Sequence, residues 1–547
     1  MNERRRSGQS LLSHTKTILL VITLITGITI LLPVIDFQTL LSTGDHGRDL
    51  YAFNAARQGL LPYKNFWWVY GPLMPFYYGF AMSLLGASIK TVLVAKVFLT
   101  ILGGLFIFLT LSLFISPILS FAAALWFYLY LPDFFFTYNH IGGILAILAV
   151  FYNISLYIKE QRISRLYAGL LFTFLLCLIK INFGIIALIM ILLSRFLVDT
   201  FHQTARPSSK KFYILSCFIL PLCVFSIYAL LCFGLTSDEI RQCFPYLGAD
   251  QQHHPSWLMP LQQLWALKRL QYFSTSYFQI ITTIFFLCLL SLPYILKKYS
   301  TKKTRRETAL FSVILAIFYI LNLHEYFLSG VVYRSFWSSP FEVIFLFFII
   351  GTAAAYMSQW TQHLLQITLT IFLLLQSFQA GKNIAQTKQT DHFLNDKRTQ
   401  VYVGNKPAWI KTVKETTDYI FDHLGFQEEF FALPYDPIYY YLTDRISPTR
   451  QLIFFDHLHI APAQEKNIIA NLDAKNINWI IMSNRISSAE PGLGQFGRSY
   501  CPLLFQYIKD NFTSVAQFGD WSNEPGWAWN YGTKILKRIG YEPTAAE

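Results

Sequence analysis

Runs of about 20 apolar residues recur along this chain, and a run of that kind in lipid must satisfy its own backbone hydrogen bonds, which a single segment does only as a helix. The first run, Thr17 to Pro33, follows Arg4, Arg5 and Arg6. No small-residue cleavage site follows it and many more apolar runs do, so it reads as an uncleaved anchor with a cytoplasmic N-terminus. Further spans are expected at about 91–115, 118–132, 141–158, 165–179, 182–199, 212–234, 275–296, 308–324, 339–357 and 362–378. That is about eleven helices, so a chain that starts inside ends outside.

Charge placement tests this threading. Lys159, Arg162 and Arg165 fall in one expected inside loop, Arg206, Lys210 and Lys211 in the next, and Lys297, Lys298, Lys302, Lys303, Arg305 and Arg306 in a third. Each strongly basic loop lands on the cytoplasmic side, as the positive-inside rule requires. The net charge of +13 is therefore loop charge that orients helices and not a nucleic-acid footprint. Only 14% of residues are charged, where a soluble globular protein carries roughly a quarter, which excludes a water-soluble enzyme. The 50 Phe, 32 Tyr and 12 Trp exclude disorder.

Three outside segments are too long to be connectors. In the first, 36–90, the stretch Pro72–Gly86 is expected as an interfacial helix, because counting it as a span would put the basic loops outside. The second covers 235–274. The third is the tail, 379–547, where charged residues become frequent and apolar runs shorten. Strands are expected there at Phe430–Leu433, Leu452–Phe455, Asn478–Met482, Ser514–Phe518 and Lys534–Lys537, with helices at Lys411–Leu424, Ala463–Leu472 and Leu503–Asn511. The expected fold is a polytopic α-helical membrane protein: a transmembrane domain over 1–378 and an extracytoplasmic α/β domain over 379–547. Cys177, Cys217, Cys223, Cys232 and Cys288 lie in apolar runs and read as small hydrophobes. Cys243 and Cys501 would face the outside, and the sequence does not say whether they are bridged. Trp67, Trp68, Trp337 and Trp360 suit interface belts.

The first outside loop carries the densest chemistry. It reads Gly44-Asp-His-Gly-Arg-Asp-Leu-Tyr51, then Ala55 to Tyr63 ending in Gly59-Leu-Leu-Pro-Tyr63, then Tyr70-Gly-Pro-Leu73 and a closing Leu85-Gly86. Asp45, His46, Arg48 and Asp49 cluster just beyond the first span, where carboxylates are costly unless solvated or paired. A functional cluster and a solvated helix cap both fit that pattern.

An acid followed by Gly two residues on, Gly-x-x-Pro-Tyr, Gly-Pro-Leu and a terminal Leu-Gly resembles the first outer loop of the GT-C glycosyltransferases. More narrowly it is similar to bacterial members related to protein mannosyltransferases and the lipid A aminoarabinose transferase. The resemblance covers roughly Thr17 to Phe378 and implies a multi-pass enzyme of a bacterial cytoplasmic membrane. Such an enzyme, a hexosyl- or pentosyltransferase, takes a sugar from a polyprenyl-phosphate donor to a lipid, glycan or protein acceptor outside. It implies Asp45 as the base that activates the acceptor, with Asp49 one helical turn on able to share the role. A second acid matches Asp133. Donor phosphate needs cations, and Lys180 and Arg334 match family positions. Lys180 also fits a snorkelling interface lysine, and Arg334 a plain ion pair with Glu325. His46, Arg48, Tyr138, His140 and His324 are the expected pocket residues.

No metal-ligand spacing stands out: His253 and His254 are adjacent, project apart and read as loop residues. Family members differ in metal need, so no cofactor is assigned and a divalent ion stays open. The tail reads as accessory, with Asp436, Asp444 and Asp456 as turn or surface residues. A transporter or flippase of lipid-linked glycans would need polar or broken helices at mid-membrane; few mid-span charges, Lys96 among them, are present. A polymerase of such glycans would use the same face and carrier as a transferase.

Overall fold

The computed structural model describes residues 2–38, 41, 44–130, 138–202, 210–244, 303–325, 336–390, 392–404, 407–425, 427–484, 494–521 and 532–542. The expected span at 275–296, Asp133, Arg334, His253, His254 and Cys288 lie outside them. The helices of the membrane part are α1 (Asn2–Leu31), α2 (Asp45–Arg57), α3 (Leu73–Leu85), α4 (Ile89–Leu111), α5 (Pro117–Tyr130), α6 (Tyr138–Glu160), α7 (Ile163–Cys177) and α8 (Ile181–His202). Then come α9 (Lys210–Leu231, through a π-helical turn at Leu215–Ile219), α10 (Ser237–Cys243), α11 (Lys303–Asn322), α12 (Ser339–Ala354) and α13 (Gln359–Thr390). Among the described residues six helices are long and apolar enough to cross a bilayer: His14–Asp36, Ile89–Leu111, Tyr138–Glu160, Ile181–Phe201, Lys210–Leu231 and Gln359–Gln386. Shorter apolar helices complete the bundle.

Helix α6 is the centre. It is buried along almost its whole length and packs between α4 and α7. Its polar side chains turn back on the helix: Asn153 donates to the Ala149 carbonyl and Ser155 to that of Phe151, each at 2.8 Å. At 1.5 Å per residue its two ends are about 34 Å apart, and they differ in chemistry. At the Glu160 end Lys159 pairs with Glu307 (3.0 Å) and Arg165 with Glu160 (2.9 Å). At the Tyr138 end lies helix α2, which carries Asp45, Arg48 and Asp49.

Helix α3 occupies the stretch expected to be interfacial. Phe76, Phe80 and Leu84 recur every fourth residue on its exposed side while Met74, Tyr78 and Met82 are buried, so it presents one apolar stripe outward. Helix α13 continues beyond the apolar run that ends at 378, to Thr390.

The tail adds α14 (Pro407–His423), α15 (Ile438–Leu442), α16 (Pro462–Ala474) and α17 (Pro502–Asn511) around a sheet of order β4-β5-β7-β6. Its strands are β4 (Phe430–Leu433), β5 (Trp479–Ser483), β6 (Phe512–Gly519) and β7 (Gly532–Arg538). Strands β4 and β5 pair in parallel; the other two pairings are antiparallel. Every residue of β4 and β5 is buried, as in a sheet covered on both faces. The expected strand at Leu452–Phe455 does not form. That segment is largely buried, and its Phe454 N donates to Pro434 O at 2.8 Å; an antiparallel ladder would need that bond returned, and proline has no N–H to return it.

A second sheet was not foreseen. Strand β1 (Phe37–Gln38), just after the first helix, pairs in parallel with β3 (Val401–Val403), which pairs with β2 (His392–Leu394). It joins the first outer loop to the tail. Two side-chain expectations also change. Trp67, Trp68 and Trp337 are buried core and Trp360 alone of the four is exposed; the indole N–H of Trp67 reaches the Gln242 carbonyl (3.1 Å) and that of Trp68 the Gly71 carbonyl (3.0 Å). Cys217 and Cys223 sit on the outer surface of α9, and Cys243 and Cys501 are both buried free thiols.

Candidate active site

Helix α2 is weakly apolar, yet it is buried from His46 through Ala55. It is held between α3 and the tail's α15. The close approach explains a glycine of the loop motif: a Cβ on Gly47 would stand 2.6 Å from the Ile438 backbone nitrogen. Asp45 opens α2, where the helix N-terminus favours negative charge.

One turn on, Arg48 binds both acids. Its Nη1 donates to Asp45 Oδ1 at 3.1 Å, and its Nε and Nη2 to Asp49 Oδ1 at 2.9 and 2.7 Å. Asp45 keeps 17% of its side chain exposed and Asp49 none, so only the first can meet a solvent-borne acceptor directly. The Oδ2 of Asp49 has no hydrogen-bond partner among the described residues. Burial pushes the Asp49 carboxyl up to about 6, against the pull of the Arg48 guanidinium.

The tail completes the group. The Tyr435 hydroxyl donates to Asp45 Oδ1 at 3.2 Å. Its neighbour Asp436 is fully buried and accepts from Ser483 (2.5 Å), which corrects its reading as a surface residue. Asp444 is an exposed turn residue as expected, and it pairs with Arg398 and accepts from Asn54 of α2 at 3.1 Å.

Tyr70 links this acidic turn to the expected phosphate lysine. The Arg48 guanidinium lies 5.2 Å from the Tyr70 ring centre and the Lys180 ammonium 5.7 Å from it. Both are within cation–π range. Gly71 sets the geometry: its N–H donates to the Ile179 carbonyl (2.8 Å) and Leu73 N to that of Leu178 (2.9 Å), and a Cβ at Gly71 would overlap the Leu178 carbonyl. The Gly-Pro-Leu turn thus lies flat on the 178–180 turn that carries Lys180.

Lys180 pairs with Glu325 at 2.5 Å, and both are nearly buried. Arg334, the other cation that fits Glu325, lies outside the described residues. Asn182 Nδ2 donates to Glu325 Oε1 (2.9 Å) and lies 2.8 Å from His324 Nε2. The Lys180 ammonium also faces Trp337 at 5.1 Å and Phe183 at 5.4 Å. His140 packs edge-on against Tyr70, Phe336 and Trp337. His46 packs edge-on against Tyr138 at 5.2 Å, and the Tyr138 hydroxyl donates to Gln38 (2.8 Å).

Eight residues expected from sequence (Asp45, His46, Arg48, Asp49, Tyr138, His140, Lys180 and His324) thus belong to one connected cluster. Tyr70, Asn182, Glu325 and Tyr435 are the added members. Tyr70 stood inside a quoted motif; Tyr435 carried no signal of a shared site. Among the described residues no group of three or more His, Cys, Asp or Glu is placed to hold a metal ion.

This architecture has solved counterparts. No family model matches the chain, and no curated protein matches it in sequence. ArnT from Cupriavidus metallidurans in the apo state superposes over 96% of this chain and 99% of its own, with TM-score 0.56 and 9% identity. The same protein bound to undecaprenyl phosphate gives TM-score 0.53 over the same shares at 9% identity. The chain shares the ArnT fold. At that identity the likeness is one of architecture alone: a helical membrane bundle with a strand-containing tail. An oligosaccharyltransferase from Archaeoglobus fulgidus, with Zn and sulfate, aligns over 86% of this chain and 68% of its own at 12% identity and TM-score 0.47, too loose to build on.

Proposed function

We propose that this chain transfers a sugar from a polyprenyl-phosphate donor to a cell-envelope acceptor at the outer face of a bacterial cytoplasmic membrane, with Asp45 as general base. The observation that carries the reading is the unbroken run of side chains from Asp45 through Arg48 and Tyr70 to Lys180. It sits in a fold shared with a protein solved with undecaprenyl phosphate bound. The N-terminus is placed in the cytoplasm and the tail outside, following the basic loops.

In the proposed step Asp45 takes the proton of the acceptor hydroxyl or amine. The freed electron pair forms a bond to the anomeric carbon while the bond from that carbon to the phosphate oxygen breaks, and polyprenyl phosphate leaves with the electrons. Arg48, fixed by two carboxylates, holds Asp45 in place. Among the described residues the cluster carries three carboxylates (Asp45, Asp49, Glu325) against two cations (Arg48, Lys180), so a phosphate that reaches Lys180 competes with Glu325 for it. Asn182 and His324 then receive the Glu325 carboxylate. Asp133 and Arg334 belong to the same proposal as second acid and second phosphate cation.

General-base catalysis contributes roughly 10²–10⁴-fold, so Asp45→Asn in purified, reconstituted protein should cut turnover of a polyprenyl-phosphate sugar by at least about a hundredfold. An unchanged rate overturns the assignment.

A further inference from the structure

A second polar site lies where α10 meets the tail. A small open cleft is lined by Thr236, Gln242, Gln451, Gln464, Asn467 and Asn471, together with Ile460 and Ile468. Its one strong charge is neutralised within the wall: Arg450 Nε donates to Glu239 Oε1 at 3.1 Å. Gln242 and Gln464 exchange amide bonds at 2.9 and 3.4 Å, which closes the end between the second outer loop and α16. Along α16, Gln464, Asn467, Ile468 and Asn471 fall at i, i+3, i+4 and i+7, so one helix face turns toward the cleft. Asn467 and Asn471 are exposed on it.

The lining chooses the ligand class. Gln242, Gln464 and Gln451 spend amide bonds inside the protein, and the exposed Asn467 and Asn471 each present an acceptor and two donors on one planar group, which matches hydroxyls that both give and take hydrogen bonds. A wall without net charge does not select phosphate or carboxylate, and two isoleucines are too few for an acyl chain. The cleft is also tied to the candidate active site by a short rigid path. Trp67 N donates to the Arg450 carbonyl (2.8 Å) and its indole N–H to the Gln242 carbonyl, while three residues on Tyr70 stands beside Arg48.

We infer that this cleft binds a neutral, hydroxyl-rich saccharide, as the distal sugars of the acceptor; the inference rests on the transferase reading. The test uses full-length protein in detergent and an array of neutral linear hexose tetrasaccharides. Wild-type protein should bind at least one series, and Asn467→Ala with Asn471→Ala should weaken that binding about tenfold, two lost hydrogen bonds being of that order. Both substitutions sit on an exposed helix face where alanine favours the helix, so folding is kept, and a thermal melt confirms it. No binding by the wild type, or equal binding by the double variant, overturns the inference. Running Asp45→Asn on the same array separates the two claims. Its saccharide binding should equal the wild type's even where turnover is lost; turnover unaffected by Asp45→Asn would remove Asp45 as the base, and no turnover by the wild type would sink the transferase reading alone.

Discussion

The Tyr435 hydroxyl donates to Asp45 Oδ1 at 3.2 Å, although 390 residues separate the two. The acid opens the first outer loop's helix and the tyrosine comes from the tail, so the candidate base is shared between parts that the sequence presents as separate. Arg48 approaches the same oxygen from within α2.

Tyr435→Phe removes the hydroxyl and keeps the ring. A hydrogen bond to a charged group is worth about 1.5–3 kcal/mol, so turnover should fall roughly ten- to a hundredfold. KM and melting temperature should stay near the wild type's. Because Tyr435 acts through Asp45, it is a positioning residue. Equal loss in an Asp45→Asn background would show that it acts some other way.

Asp49 gives the pH dependence. With its carboxyl pushed up to about 6 by burial, it is ionised above that pH and takes a proton below it. Protonation loosens the two Arg48 bonds and frees the guanidinium to crowd Asp45, so transfer should fall as pH drops through about 6. On stability the sign is opposite. The folded state holds this proton more tightly than an unfolded Asp of ordinary value 3.8, so Asp49 favours folding most below that value and loses the benefit as pH rises toward about 6. Asp49→Asn should remove the acid limb of the rate profile. A limb that persists in the variant contradicts the assignment.

Lys180 and Glu325 form a nearly buried pair. Removing one partner strands the other, at about 3–5 kcal/mol. Lys180→Met should lower the melting temperature sharply, and Lys180→Met with Glu325→Gln should restore most of it. Polyprenyl-phosphate binding, followed by quenching of tryptophan fluorescence, should be lost in both. Recovery of lipid binding in the double variant would remove Lys180 from the phosphate site.

Gly71→Ala would drive a methyl into the Leu178 carbonyl. Such overpacking costs about 1–3 kcal/mol and pushes Tyr70 away from Lys180. Thermal unfolding of the purified variant should show the loss, and an unchanged melting curve would mean that the two turns are not in contact.

The parts legible in sequence were those with a strong local signal. Apolar runs marked the helices, and the Gly-Asp-His-Gly-Arg-Asp turn marked the acidic cluster. Apolarity reports the bilayer and not the helix, so α13 outlasts its apolar run by twelve residues, to Thr390. Three-residue strands such as His392–Leu394 carry too few alternations to show. Leu452–Phe455 had strand-like residues, but it lies beside Pro434 and finds no ladder. Tyr435 escaped because its contact with Asp45 spans 390 residues, which no spacing rule records, and Glu325 drew notice only as a neighbour of Arg334 because Lys180 lies more than a hundred residues away.

The most direct test is an analysis of lipid-linked sugars in membranes of cells lacking the gene, complemented with the wild type or with Asp45→Asn. One polyprenyl-phosphate sugar should accumulate in the deletion, disappear with the wild type and persist with Asp45→Asn. Its disappearance with Asp45→Asn as fully as with the wild type would contradict the account.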